Sequence, residues 1–122
     1  MPSFMVIEDD LSVRYLLKEA LAGSGYEVLA AVESVRSALA FLERGRAPDV
    51  VVLDLILPGA NGYAIIDYLR ENCGGTKILV VTGLSEEQAL RSLPRDGYDG
   101  LLTKPFEMPQ FRATVERLLK RA

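Results

Sequence analysis

The chain has 122 residues and a net charge of −3, with 49% hydrophobic and 25% charged residues, a size and composition that suit one globular domain and exclude disordered or fibrous classes. The acidic balance argues against nucleic acid as a direct partner, because phosphate binding needs clustered Lys and Arg, and no apolar stretch reaches the roughly 20 residues of a membrane span. Histidine is absent, which removes histidine general bases, Ser-His and Cys-His nucleophile pairs and histidine-ligated metals.

Phe4 to Ile7 is a short apolar strand running into Glu8-Asp9-Asp10. Leu11, Leu16, Leu17, Ala20 and Leu21 then recur at helical spacing, closed by Gly23 and Gly25. Tyr26 to Ala30 predicts a second strand, and Val35, Ala38, Leu39 and Leu42 a second helix with Gly45 and Pro48 past its end. Val50 to Leu53 is β-branched and apolar throughout, the pattern of a strand buried on both faces of a parallel sheet; Asp54 ends it, and Pro58-Gly59 turns the chain. Ile65, Ile66 and Leu69 predict a third helix stopped by Gly74-Gly75. Ile78 to Val81 is a fourth strand, Ser85 to Leu93 a fourth helix ended by Pro94, and Leu101-Leu102 a fifth strand. Phe111, Val115, Leu118 and Leu119 mark the last helix.

Five β-then-α units in strict alternation predict an α/β fold: a single five-stranded parallel sheet with helices on both faces, because crossovers are right-handed. The expected strand order is the flavodoxin-like 2-1-3-4-5, in one domain over residues 1–122. The amino terminus carries no basic region followed by an apolar stretch, and Cys73 has no cysteine to pair with; a reduced, cytoplasmic setting is expected.

Reaction sites of open α/β sheets lie at the carboxyl ends of the strands. There this chain places Glu8 and Asp9, Asp54, Thr82, and Lys104 followed by Pro105. Singly, each has a bland reading: a solvated acidic loop with Asp10 as a helix cap, a turn hydroxyl, a surface Lys-Pro pair. Their coincidence on one edge of one sheet points further. Three neighbouring carboxylates repel one another unless a positive charge sits among them, and Mg²⁺ suits a site of carboxylates, water and phosphate. Lys104 can hold a carboxylate or phosphoryl oxygen, and Thr82 offers a hydroxyl. Together they form a cradle for phosphoryl transfer to an aspartate.

Val6-Ile7-Glu8-Asp9-Asp10, Val52 to Gly62 with Asp54 within it, Val80-Val81-Thr82-Gly83 and Gly97 to Phe106 occur in the order and spacing of a known family. Through them the chain resembles, from end to end, the receiver domain of two-component response regulators of the chemotaxis-regulator kind. The resemblance implies a phosphoacceptor signalling domain, not a turnover enzyme. Asp54 would take a phosphoryl group from a phosphohistidine on a partner histidine kinase or histidine phosphotransfer protein, which explains the missing histidine. Mg²⁺ would be held by Asp9 directly, Glu8 through water, Asp54, and the backbone carbonyl of Ile56. Thr82 and Lys104 would contact the phosphoryl group, and the Lys104-Pro105 peptide would be cis. The first helix and the Pro105-Phe106 loop would dock the phosphodonor. The face of the fourth helix, fifth strand and fifth helix would engage a downstream protein partner.

Two departures stand out. Three residues before the lysine, where the family carries Tyr or Phe, this chain has Leu101; Tyr98 stands three residues earlier still, where a small residue is usual. The relay through Thr82 is therefore expected to be weak or to use Tyr98 packed over the fourth helix. Ile56 and Leu84, two residues after Asp54 and Thr82, are bulky and apolar and cannot orient an attacking water, so a slowly decaying phosphoprotein is expected. Three contexts remain open: a stand-alone regulator, a segment of a hybrid histidine kinase, or one of a DNA-binding response regulator. A phosphatase of the haloacid dehalogenase type needs an acid where Ile56 stands, and a flavin binder needs a hydroxyl-rich loop where this chain puts acids.

Overall fold

The computed structural model describes residues 1–57, 60–93 and 97–120; the expected Pro58-Gly59 turn and the helix stop at Pro94 lie outside them. Five strands form one parallel sheet: β1 (Ser3–Ile7), β2 (Glu27–Val32), β3 (Val50–Asp54), β4 (Lys77–Thr82) and β5 (Gly100–Thr103). Their order is 2-1-3-4-5. The helices are α1 (Leu11–Gly23), α2 (Val35–Glu43), α3 (Tyr63–Asn72), α4 (Glu86–Ser92) and α5 (Met108–Lys120).

Alternation along the strands sorts their side chains onto two cores. Met5, Ile7, Val51, Leu53, Ile78 and Val80 pack with Val35, Ala38 and Leu42 of α2, Ile65, Ile66 and Leu69 of α3, and Ala89 of α4. Phe4, Val6, Val50, Val52, Leu79, Val81 and Leu102 pack with Leu17, Ala20 and Leu21 of α1 and Phe111, Val115 and Leu118 of α5. β1 and β3 are buried at every position, which is why they read as unbroken apolar runs.

The helix ends follow local chemistry. Asp10 caps α1 by accepting from Val13 N at 3.1 Å, and Ser34 caps α2 by accepting from Ser37 N at 3.1 Å. Ser85 and Gln88 form a reciprocal capping box on α4. Lys77 Nζ donates to Leu118 O at 2.7 Å, placing a cation on the carboxyl end of α5.

Several strand ends differ from the sequence-based expectation, those of β2 among them. β2 runs from Glu27 to Val32 rather than from Tyr26 to Ala30, because the β1 ladder carries on through Ile7 opposite Val32. Tyr26 instead closes the turn after α1, bonding Leu21 O through its N–H while its ring lies 5.0 Å from that of Phe4. α5 begins at Met108, since Pro109 in the first turn needs no intrahelical donor. A short antiparallel pair, Ile56–Leu57 with Ala60–Asn61, follows β3 and was not expected.

Candidate functional site

Register carries the candidate residues to one line. Ile7 pairs with Leu53, Asp54 with Val81, and Thr82 with Thr103. Glu8 therefore follows β1 beside Asp54 at the end of β3, and Lys104 follows β5 beside Thr82 at the end of β4. Glu8 continues the alternation of Phe4 and Val6, Asp54 that of Val50 and Val52, and Lys104 that of Leu102, so all three turn toward the α1 and α5 side. Thr82 follows the opposite alternation, that of Ile78 and Val80.

Lys104 Nζ lies 2.6 Å from Glu8 Oε1 and 3.0 Å from Asp54 Oδ2. The Glu8 and Asp54 side chains are 2% and 6% exposed, while that of Lys104 is 26% exposed; the two acids are enclosed and the cation reaches them from the rim. Glu8 Oε2 also accepts from Asp10 N at 3.2 Å. Asp9 is exposed, yet one oxygen from each of Glu8, Asp9 and Asp54 lies within 4.8 Å of the others.

Burial raises the Glu8 carboxyl to about 7; the Lys104 ammonium opposes that rise, and the neighbouring Asp54 carboxyl reinforces it. Burial pulls Lys104 down, but its hydrogen bonds with Glu8 and Asp54 outweigh that and raise it. Near neutral pH one of these acids thus sits on the edge of protonation. A hard divalent cation would favour the ionised form of Glu8, and the all-oxygen donor set of the three acids fits Mg²⁺.

Thr82 is fully buried; its Oγ1 accepts from Leu84 N at 3.2 Å and its carbonyl accepts from Lys104 N at 2.7 Å. The Lys104-Pro105 peptide is cis. Ile56 lies just past Asp54, paired with Asn61. Tyr98 and Leu101 are half-buried and pack against the cluster that holds Ala89 and Leu93, as does Leu84.

Two further residues touch the site and have no role assigned from sequence. A Cβ on Gly62 would stand 2.8 Å from the Asp54 carbonyl oxygen and 3.0 Å from Leu55 Cα, so the start of α3 rests directly on the Asp54 peptide. Its φ of −69° is open to any residue; close approach, not conformation, requires glycine. Arg14 donates from Nη1 to Glu8 O at 3.0 Å and Asp9 O at 3.5 Å. A run of D-x-x-x-x-R spacing carries no such meaning without coordinates.

The family model for the response regulator receiver domain matches residues 4–116. The chain belongs to that family. Over 117 residues it is 32% identical to the sensor kinase CckA of Brucella abortus, covering 96% of this chain and 12% of that protein. It is 32% identical to the DNA-binding dual master transcriptional regulator RpaA of a Synechocystis species, covering 99% of this chain and 50% of that protein. The chain thus spans half or less of these curated relatives. Among solved structures it is similar to the chemotaxis response regulator CheY4 of Vibrio cholerae, with a TM-score of 0.86, 28% identity, and 97% and 98% of the two chains covered. It is also similar to the response regulator TrrA of Thermotoga maritima in complex with Mg²⁺ and a beryllium fluoride, with a TM-score of 0.82, 30% identity, and 97% and 99% covered. Among the described residues of this receiver domain, no helix is long and apolar enough to cross a membrane.

Proposed function

We propose that this receiver domain accepts a phosphoryl group on Asp54 from a phosphohistidine of a partner histidine kinase or histidine phosphotransfer protein, and that residues 1–122 act as one domain. The observation that carries this reading is the enclosed Asp54 carboxylate, held 3.0 Å from Lys104 Nζ among two further carboxylates at the carboxyl edge of the sheet.

In this reading an Asp54 oxygen attacks phosphorus, the phosphorus–nitrogen bond breaks, and the partner imidazole keeps the bonding pair and takes a proton. Lys104, released from part of its pairing with the acids, holds a phosphoryl oxygen, and Thr82 turns its hydroxyl from the Leu84 amide toward another. Glu8, Asp9, Asp54 and the Ile56 carbonyl hold Mg²⁺, which supplies neutralisation of the phosphoryl charge when bound. Burial of Asp54 limits water at the acyl phosphate.

Leu11, Tyr15 and Leu16 of α1 are 70%, 54% and 55% exposed. Leu16 and Val13 line an apolar depression with Pro105, Phe106 and Met108, next to Lys104. This supports phosphodonor docking on α1 and the Pro105-Phe106 loop. The face of α4, β5 and α5 is assigned to a downstream protein partner, without direct nucleic-acid contact or membrane insertion, in the cytoplasm.

Two-dimensional amide NMR tests the reading: titrate Mg²⁺, then beryllofluoride, with Asp54→Asn as control. Shifts at Asp9 and Asp54 with Mg²⁺, then spreading through Thr82 and Leu101 with the mimic, are expected. No response to either refutes the phosphoacceptor chemistry.

A further inference from the structure

We propose that Arg14 is a positioning residue for the acids that hold the divalent cation, an inference that rests on the assignment of Glu8 and Asp9 to Mg²⁺. Arg14 lies one turn into α1, where its N–H bonds the Asp10 carbonyl at 2.9 Å. A cation in the first turn opposes the helix dipole, so a bare surface role there is disfavoured. The side chain instead folds back over the helix start, half-buried, and its Nη1 donates to the carbonyls of Glu8 and Asp9 at 3.0 and 3.5 Å.

Those two carbonyls belong to the loop that leaves the sheet. The Glu8 amide is the last tie to β2, through Val32 O at 3.0 Å. Beyond it the Asp10 cap fixes the helix side. Arg14 spans the interval between, fixing the peptide planes on either side of the Asp9 Cα and hence the direction of its side chain. Asp9 is the exposed member of the triad, so burial does not hold it as it holds Glu8 and Asp54.

Charge and position predict opposite signs. A nearby guanidinium repels a divalent cation, so removing it for its charge alone should tighten Mg²⁺ binding. Removing a group that aligns two ligands should loosen binding, and losing such supporting contacts commonly costs 10-fold or more in metal affinity.

The test is Mg²⁺ titration of the full chain, followed by the amide shifts of Asp9 and Asp54, for the wild type, Arg14→Gln and Arg14→Lys. Arg14→Gln is expected to bind about tenfold more weakly, with Arg14→Lys between the two. Unchanged or tighter binding by Arg14→Gln overturns the proposal. If Arg14→Gln does not fold, Arg14→Lys decides: binding several-fold weaker supports positioning, and binding equal to wild type overturns it. Hydrogen exchange of the metal-free proteins supplies the second readout. The amides of Asp9, Asp10 and Leu11 should exchange faster in the variants while Val51 and Val52 keep their protection; unchanged exchange at Asp9 and Asp10 overturns the proposal. A wild type indifferent to Mg²⁺ would instead refute the metal assignment, and the exchange experiment would still judge Arg14.

Discussion

Glu8 and Lys104 meet at 2.6 Å across 96 residues of sequence, joining the loop after β1 to the loop after β5 over the end of the strand that carries Asp54. The pair sets how this edge of the sheet responds to protons. Glu8 ionises near 4.5 in an unfolded chain and is held at about 7 in the fold, chiefly by burial. The folded state therefore binds the proton more tightly than the unfolded state between those values. The contribution of Glu8 to stability is fully present below about 4.5 and is lost as pH rises through about 7. Thermal unfolding of the metal-free protein between pH 4.5 and 7.5 should show this loss, and Glu8→Gln should lack it. Equal pH slopes in the two proteins would contradict the assignment.

Replacing Lys104 with Met leaves the two enclosed carboxyls without their ammonium partner. At pH 7.5 without Mg²⁺ a loss of about 2 kcal/mol is expected, the scale of hydrogen bonds to charged groups. At pH 5 the loss should shrink, because Glu8 is then mostly neutral. Denaturant unfolding at the two pH values measures both, and a loss independent of pH would separate Lys104 from Glu8 energetically.

Gly62→Ala places a methyl against the backbone on which Asp54 sits, whereas Gly100→Ala meets the Leu79 and Leu118 side-chain ends at 3.1 and 3.2 Å. Backbone cannot yield as a leucine methyl can. Gly62→Ala should cost about 1–3 kcal/mol, the larger effect of the two, as overpacking does in a close-packed site. It should also slow phosphorylation of Asp54 by a small-molecule phosphodonor, where Gly100→Ala should not. Matched kinetics in the two folded variants would remove Gly62 from the site.

The phosphorylated chain is expected to persist for minutes. Leu84 is half-buried beside Thr82, and neither it nor Ile56 carries a group able to orient water for attack on the acyl phosphate. Timed loss of phosphate by intact-mass spectrometry checks this; complete loss within seconds would rule it out.

Tyr98 packs on the same cluster as Leu101 and Leu84, which supports a relay that uses the tyrosine where the family places its aromatic three residues later. Tyr98→Ala should diminish the beryllofluoride-induced amide shifts at Thr82 and Leu101. An undiminished response would show that Tyr98 takes no part.

Much of this protein is legible in one dimension. A parallel strand buried on both faces must be apolar at every position, so Val50 to Leu53 announces itself, and the polar residue that ends it marks the edge of the sheet. Alternation of such strands with helical periodicity determines the fold class, and 2-1-3-4-5 is the order expected of five such strands in a flavodoxin-like sheet. The acids, Thr82 and Lys104 could be assembled from that alone, because register in a parallel sheet aligns strand ends. Tyr26 and Val32 show where periodicity fails: pairing with β1 decides the ends of β2, and an aromatic just before an apolar stretch reads as strand whether or not it pairs. Only the tertiary structure decided how the edge is held. The close seat of Gly62, where an added Cβ would stand 2.8 Å from the Asp54 carbonyl oxygen, and the reach of Arg14 back to two carbonyls arise where a helix start meets a strand end. In both cases the partner is a backbone atom of the strand end or its loop, and a backbone atom leaves no mark in the order of side chains.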